Sequence, residues 1–120
     1  MTRILIADDS KMIRMMLRDI IEEIAAYAEI EEAADGAEAL ELLDDDDFDL
    51  VITDLYMPKV TGLEVLREVQ DLYPKTQVGV ISSETAQDRV DELKEGGAAF
   101  IIHKPFQVDE VARVLSTFTD

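Results

Sequence analysis

The chain contains no cysteine, which excludes disulfides and thiolate metal sites and fits a reducing compartment. It also has no apolar run near the roughly 20 residues that a bilayer-spanning helix needs. Its opening, MTRILIADDS, lacks the apolar core and cleavage site of a secretion signal. A cytoplasmic protein with no membrane role is the expectation. Positive charge is scarce, with 11 Lys and Arg against 28 Asp and Glu for a formal net charge of -17. Such a balance lacks the phosphate-neutralising surface on which direct nucleic-acid binding depends. It suits cationic partners or a divalent metal, or simply keeps the protein soluble. Linkers, low-complexity tracts and internal repeats are missing too, so residues 1–120 read as one domain.

What is present centres on Phe48 to Gly62, FDLVITDLYMPKVTG. Leu50, Val51 and Ile52 make a buried strand that carries the carboxylate of Asp54 to its carboxyl end, where Pro58 soon forces the chain out of the sheet. In an open parallel α/β sheet, ligands and chemistry collect at those ends. Asp54 is therefore a candidate reaction centre, or else a turn-capping Asp.

The rest of the chain repeats the theme. Ile4 to Ala7 is a short apolar strand running straight into Asp8 and Asp9. From Ser10 onward, Ile13, Met16, Leu17, Ile20, Ile21 and Ile24 fall at helical spacing, with Met15 off the stripe and Arg14 read as a surface residue. Ile30 to Ala33 carries Glu31 and Glu32 and is polar enough for a sheet edge. Gly36, Ala39, Leu40 and Leu43 give a short second helix. The acidic run Asp44 to Asp47 then reads as a solvated loop without the spacing of a calcium site. Gly62, Val65, Leu66 and Val69 define a third helix stopping before Pro74, and Val78 to Ile81 a fourth strand ending in Ser82, Ser83 and Glu84. Ala86, Val90 and Leu93 lend the fourth helix only a thin stripe, closed by Gly96 and Gly97, and predict the least firmly docked helix. Ala98 to Ile102 is the fifth strand, before Lys104 and Pro105, and Val108, Val111, Ala112 and Leu115 form the last helix.

This alternation predicts an α/β fold with a doubly wound, five-stranded parallel sheet of order 2-1-3-4-5, the flavodoxin-like arrangement. The switch point of that order lies between strands one and three, so Asp8, Asp9 and Asp54 are expected in one crevice, near the hydroxyl of Ser82 or Ser83 and the ammonium of Lys104. Carboxylates ~4 Å apart repel by roughly 4 kcal/mol per pair at an effective dielectric near 20. Such a site should recruit a divalent cation, and an all-oxygen donor set favours Mg2+. One carboxylate could then act as nucleophile toward a phosphoryl group.

Four segments in this order, DDS at Asp8 to Ser10, DLYMPKVTG at Asp54 to Gly62, ISSE at Ile81 to Glu84 and GAAFIIHKPF at Gly97 to Phe106, resemble the receiver domains of two-component response regulators, most closely the single-domain chemotaxis type. The resemblance spans the whole chain. It implies that Asp54 is a phosphoacceptor loaded from a histidine kinase, with Lys104 and the Ser82 hydroxyl contacting the phosphoryl group. It further implies that Asp9, Asp54 and the Tyr56 backbone carbonyl ligate Mg2+, with Asp8 acting mainly through water, and that the Lys104–Pro105 bond is cis. The implied protein is a monomeric switch with at most slow self-catalysed phosphorylation and dephosphorylation. The expected output surface is the fourth helix, fifth strand and fifth helix, because the thinly anchored fourth helix adjoins Ser82.

Three positions depart from the family pattern. Ile101 stands where a switch Tyr or Phe is usual, while Phe100 falls on the opposite strand face. Coupling should then rest on Ser82 and on the Ser83 to Thr85 loop, which includes Glu84. Tyr56 is bulky at a position that governs access of water to the acyl phosphate, and is expected to slow hydrolysis. Ser83 adds a polar group where Ala or Gly is usual. His103, the lone histidine, reads as a structural or surface residue, and Thr53 and Phe106 as packing residues. Other readings are an N-terminal receiver of a longer regulator, a phosphorylation-independent receiver, an aspartyl-phosphate phosphatase and a flavodoxin-like carrier. The phosphatase is disfavoured by Tyr56 where a second Asp is needed. The carrier is disfavoured by Asp8 and Asp9 where a phosphate loop would sit.

Overall fold

Each apolar run becomes a strand, and each stripe of apolar residues at helical spacing becomes a helix packed on the sheet those strands form. The computed structural model describes residues 2–119. The elements are β1 (Arg3–Ala7), α1 (Lys11–Ile24), β2 (Glu29–Ala33), α2 (Gly36–Asp45), β3 (Leu50–Asp54), α3 (Gly62–Leu72), β4 (Gln77–Ser82), α4 (Gln87–Glu95), β5 (Phe100–His103) and α5 (Val108–Phe118). The strands are all parallel, in the order β2-β1-β3-β4-β5. The expected topology and the edge position of β2 are thus borne out.

Alternation along the strands builds two cores. Leu5, Val51, Val78 and Val80 face α2 and α3, meeting Leu43, Val65, Leu66 and Val69. Ile4, Ile6, Leu50, Ile52 and Ile102 face α1 and α5, meeting Leu17, Ile21, Val111 and Leu115. A parallel sheet covered on both sides needs such nearly continuous apolar strands. Three helices start on side-chain caps: Ser10, Asp35 and Thr61 accept from the backbone N–H groups of Ile13, Glu38 and Glu64. The N-cap positions of α4 and α5, Ala86 and Gln107, make no such bond.

Some boundaries differ from the sequence reading. β5 begins at Phe100, not Ala98, and extends to His103. Gly97 takes a left-handed φ of 100°, and Ala98 N–H is spent on the Leu93 carbonyl at the end of α4. Regular pairing with β4 therefore starts only at Phe100 opposite Gly79. Ala86 precedes α4 and is exposed, leaving Val90 and Leu93 as its buried residues. Val108, the first residue of α5, is 52% exposed because the apolar stripe begins at Val111. Asp44 and Asp45 belong to the last turn of α2. The acidic run is also more than a solvated loop: Asp44 accepts from the Tyr73 hydroxyl, and Asp46 pairs with Arg3 at 3.2 Å. Among the described residues no helix is long and apolar enough to cross a membrane.

Two glycines mark close approaches. A Cβ on Gly62 would lie 2.2 Å from the Asp54 carbonyl oxygen, so the start of α3 packs directly on the end of β3. A Cβ on Gly79 would lie 1.9 Å from the Phe100 ring, which occupies the space a side chain would take. Gly79→Ala must displace that ring and should cost about 1–3 kcal/mol, as overpacked sites do. Chemical denaturation measures it: the midpoint should fall, and Phe100→Leu in the same chain should recover part of the loss. An unchanged midpoint for Gly79→Ala refutes the packing argument.

Candidate functional site

The site is assembled by strand ends. Register places Ala7 opposite Thr53, so the next residues, Asp8 just past the end of β1 and Asp54 at the end of β3, sit side by side. Asp8 is 2% exposed, and its Oδ1 accepts from Ser10 N–H at 2.8 Å. Lys104, arriving from β5, donates from Nζ to Asp8 Oδ2 at 3.2 Å and to Asp54 Oδ2 at 3.3 Å. Its own backbone N–H donates to the Ser82 carbonyl at 2.8 Å, and the Lys104–Pro105 bond is cis. Thr53 is buried, with its hydroxyl donating to the Asp54 carbonyl at 2.9 Å.

Asp8, Asp9 and Asp54 each offer a carboxylate oxygen, and these oxygens lie within 4.8 Å of one another. Asp9 is the exposed member and Asp54 the intermediate one. The grouping fits a hard divalent cation, whose ligands are oxygens with room left for water. Burial, reinforced by the Asp8 charge, raises the Asp54 carboxyl above its ordinary range, and Lys104 offsets this only in part. Burial lowers the Lys104 ammonium, but Asp54 and Asp8 outweigh it and hold Lys104 above its ordinary value. The amine is therefore a fixed positive charge, shared by two acids that disfavour each other.

Ser82 follows Ile81, the register partner of Asp54, and is buried, with its Oγ accepting from Glu84 N–H at 3.0 Å. Ser83 is exposed beside it. Phe100 and Ile101 separate as expected. Phe100 lies on the α1/α5 side with its ring 5.2 Å from that of Phe118, and Ile101 packs on the α2/α3 side. His103 is exposed, and Phe106 is partly buried against the α1/α5 core.

Two features escaped the sequence reading. The Tyr56 hydroxyl, on a side chain 51% exposed at the β3 end, donates to Glu84 Oε1 at the β4 end. This hydrogen bond is the main reason that the Tyr56 hydroxyl lies above its ordinary range and the Glu84 carboxyl below its own. Glu84 also accepts from the N–H groups of Thr85 and Ala86, so Tyr56 is tied to the loop leading into α4. Arg14, read as a surface residue, is not one. Its side chain is 14% exposed and bonds to the Asp8 carbonyl at 2.6 Å and to Glu32 on β2 at 3.0 Å. A usable signal was present, because Arg14 and Arg18 share one face of α1 while the neighbouring strand carries the acid Glu32.

A family profile for the response regulator receiver domain matches residues 4–116. A chemotaxis protein CheY from Thermotoga maritima is 37% identical over 114 residues, covering 95% of this chain and 94% of that protein. The transcriptional regulatory protein GlnL of Bacillus subtilis is 34% identical over 94% of this chain but only 36% of its own length. Among solved structures, the chemotaxis response regulator CheY4 of Vibrio cholerae superposes with a TM-score of 0.86 at 34% identity, over 98% of both chains.

The crowding of acids makes a prediction about stability. Because the folded protein raises the Asp54 pKa, it holds that proton more tightly than the unfolded chain does. Stability is therefore lost as pH rises through the carboxyl range. In metal-free buffer at neutral pH, Asp54→Asn should melt a few degrees above the parent, and the gain should vanish below about pH 4, where the unfolded carboxyl is also protonated. Thermal melts across pH test this, and equal melting temperatures at neutral pH contradict it.

Proposed function

The chain belongs to the response regulator receiver domain family, and from that premise we propose that Asp54 is its phosphoacceptor, loaded from the phosphohistidine of a histidine kinase. Receiver domains are phosphorylation-switched signalling modules of two-component and chemotaxis pathways rather than enzymes that turn over a substrate. The observation that carries the assignment is the Lys104 amine held 3.3 Å from Asp54 Oδ2 and 3.2 Å from Asp8 Oδ2.

In the transfer, an Asp54 carboxylate oxygen forms a bond to phosphorus as the phosphorus–nitrogen bond to the imidazole breaks, and the imidazole leaves with the bonding pair and takes a proton. Lys104 can follow the charge from the carboxylate to the phosphoryl oxygens with little movement. Ser82 can donate its hydroxyl proton to a phosphoryl oxygen while its Oγ still accepts from Glu84 N–H. Asp8, Asp9, Asp54 and the Tyr56 carbonyl would hold Mg2+, with Asp8 acting mainly through water. Bound there, the ion supplies positive charge that offsets the acids and the phosphoryl oxygens.

Phosphorylation adds close to two negative charges at the β3 end. We assign the response to the Ser83 to Thr85 loop and the output to the surface of α4, β5 and α5. The uncapped start of α4 and its short list of buried residues support this, since little packing opposes a shift. Ile101 has no hydroxyl to swing toward Ser82, which favours a loop-driven switch. Self-catalysed phosphorylation and dephosphorylation are slow in this reading. Tyr56, braced by Glu84 across the rim, shields the acyl phosphate from water, and Ser83 adds a polar group at the same rim. The module acts as a cytoplasmic monomer without direct contact to nucleic acid. The same site would serve equally as the receiver part of a longer regulator such as GlnL.

Incubation with acetyl phosphate and Mg2+ should add one phosphoryl group to the intact mass, with none added to Asp54→Ala and little without Mg2+. Labelling of Asp54→Ala to the parent level would sink the assignment. Tyr56→Asn should shorten the phosphorylated lifetime several-fold. Tyr56→Phe, which keeps the ring and loses the bond to Glu84, should fall between the two, and parental lifetimes for both variants would remove Tyr56 from the account.

A further inference from the structure

We infer that Arg14 is a positioning residue for the acidic corner, fixing the Asp8–Asp9 peptide so that both carboxylates stay aimed at a divalent cation beside Asp54. The inference rests on the proposed metal-assisted phosphoryl acceptor. β1 ends at Ala7, and just beyond it Asp8 N–H still donates to the Ala33 carbonyl at 3.1 Å. The Asp8 carbonyl lies past the last β1–β3 register pair, Ala7 with Thr53. Arg14 Nη1 meets that carbonyl at 2.6 Å, one helical turn into α1. A peptide unit is planar, so holding the Asp8 carbonyl also sets the direction in which the Asp9 backbone leaves.

The guanidinium is itself held in place. Its Nε donates to Glu32 Oε1 at 3.0 Å, and the other oxygen of Glu32 accepts from Arg18 Nε at 2.8 Å. Arg18 also reaches the Ile30 carbonyl, at 3.4 Å. Burial pushes the Glu32 carboxyl up, but the hydrogen bonds from Arg18 and Arg14 outweigh it, so the anchor stays ionised. The chain of contact thus runs from edge strand β2 through Arg14 to the backbone between two of the three clustered acids. Those acids repel one another, and a loose backbone would let Asp9, the exposed member, swing into solvent. Bonding a carboxylate and a carbonyl together suits the planar fork of arginine better than the single ammonium of lysine.

The experiment compares the parent with Arg14→Met, Arg14→Lys and Arg3→Met. Arg3 is a matched control because it also sits at β1, pairs with Glu29 and Asp46 and bonds the Asp47 carbonyl, but at the opposite end of the strand. Mg2+ is titrated into each protein and followed by backbone amide shifts, and hydrogen exchange of the Ser10 amide is measured without metal. Arg14→Met should weaken Mg2+ binding about tenfold, the scale of lost support behind a metal ligand, and speed Ser10 exchange. Arg14→Lys should recover part of both effects, and Arg3→Met should change neither. Parental Mg2+ affinity in Arg14→Met, or an equal loss in Arg3→Met, overturns the inference. If the parent binds Mg2+ but is not phosphorylated, the phosphoacceptor reading fails alone, and the affinity and exchange comparisons still decide the role of Arg14.

Discussion

The structure depends on keeping like charges together. Asp8, Asp9 and Asp54 lie closer than free carboxylates would choose, and two of them are drawn toward one ammonium, that of Lys104. At separations of about 4 Å each pairwise repulsion is worth several kcal/mol at an effective dielectric near 20, a large share of the stability of a small domain. The remaining architecture can be read as the means of holding that arrangement. Parallel strands bring the acids to one end over a buried two-sided core, and hydrogen bonds from the Thr53 hydroxyl to the Asp54 carbonyl, from Ser10 N–H to the Asp8 carboxylate and from Lys104 N–H to the Ser82 carbonyl hold the charged residues in place. An added positive charge would relieve that tension.

The division of labour between the two sheet faces follows from period-two alternation in the strands. One face packs α2 and α3 and takes Ile101; the other packs α1 and α5 and takes Phe100. The helix between β4 and β5, α4, has a weaker hold than α1, α2 and α3, with no side-chain cap and Val90 and Leu93 as its buried residues, and α5 likewise lacks a cap and buries Val111 and Leu115. Packing is therefore tightest at β1 and β3, where charge must be held, and lighter at α4 and α5.

Much of this was legible from residue order. Short apolar runs ending in Asp8, Asp9, Asp54 and Ser82 state both the strand and the chemistry at its end, because a buried strand has to be apolar and its exit does not. Lys104 was legible because its strand is the last of a regular alternation. What periodicity could not supply was side-chain reach. Arg14 lies off the apolar stripe, which by pattern alone means solvent, yet its length carries the guanidinium back over β1 to the Asp8 carbonyl. Tyr56 joins Glu84, and Tyr73 joins Asp44, across gaps between elements that no local pattern spans. The start of β5 was misplaced because Ala98 and Ala99 extend the apolar run of Phe100 to Ile102, while the turn at Gly97 delays regular pairing to Phe100.

Phe100 lies across Gly79 like a key in a keyway, with Phe118 against its ring. A step of β5 along β4 would drive that ring into a neighbouring residue that has a side chain. Sliding between these strands is thereby blocked on the α1/α5 face. A displacement of β5 would therefore have to go by tilt or repacking, not by a slide past β4.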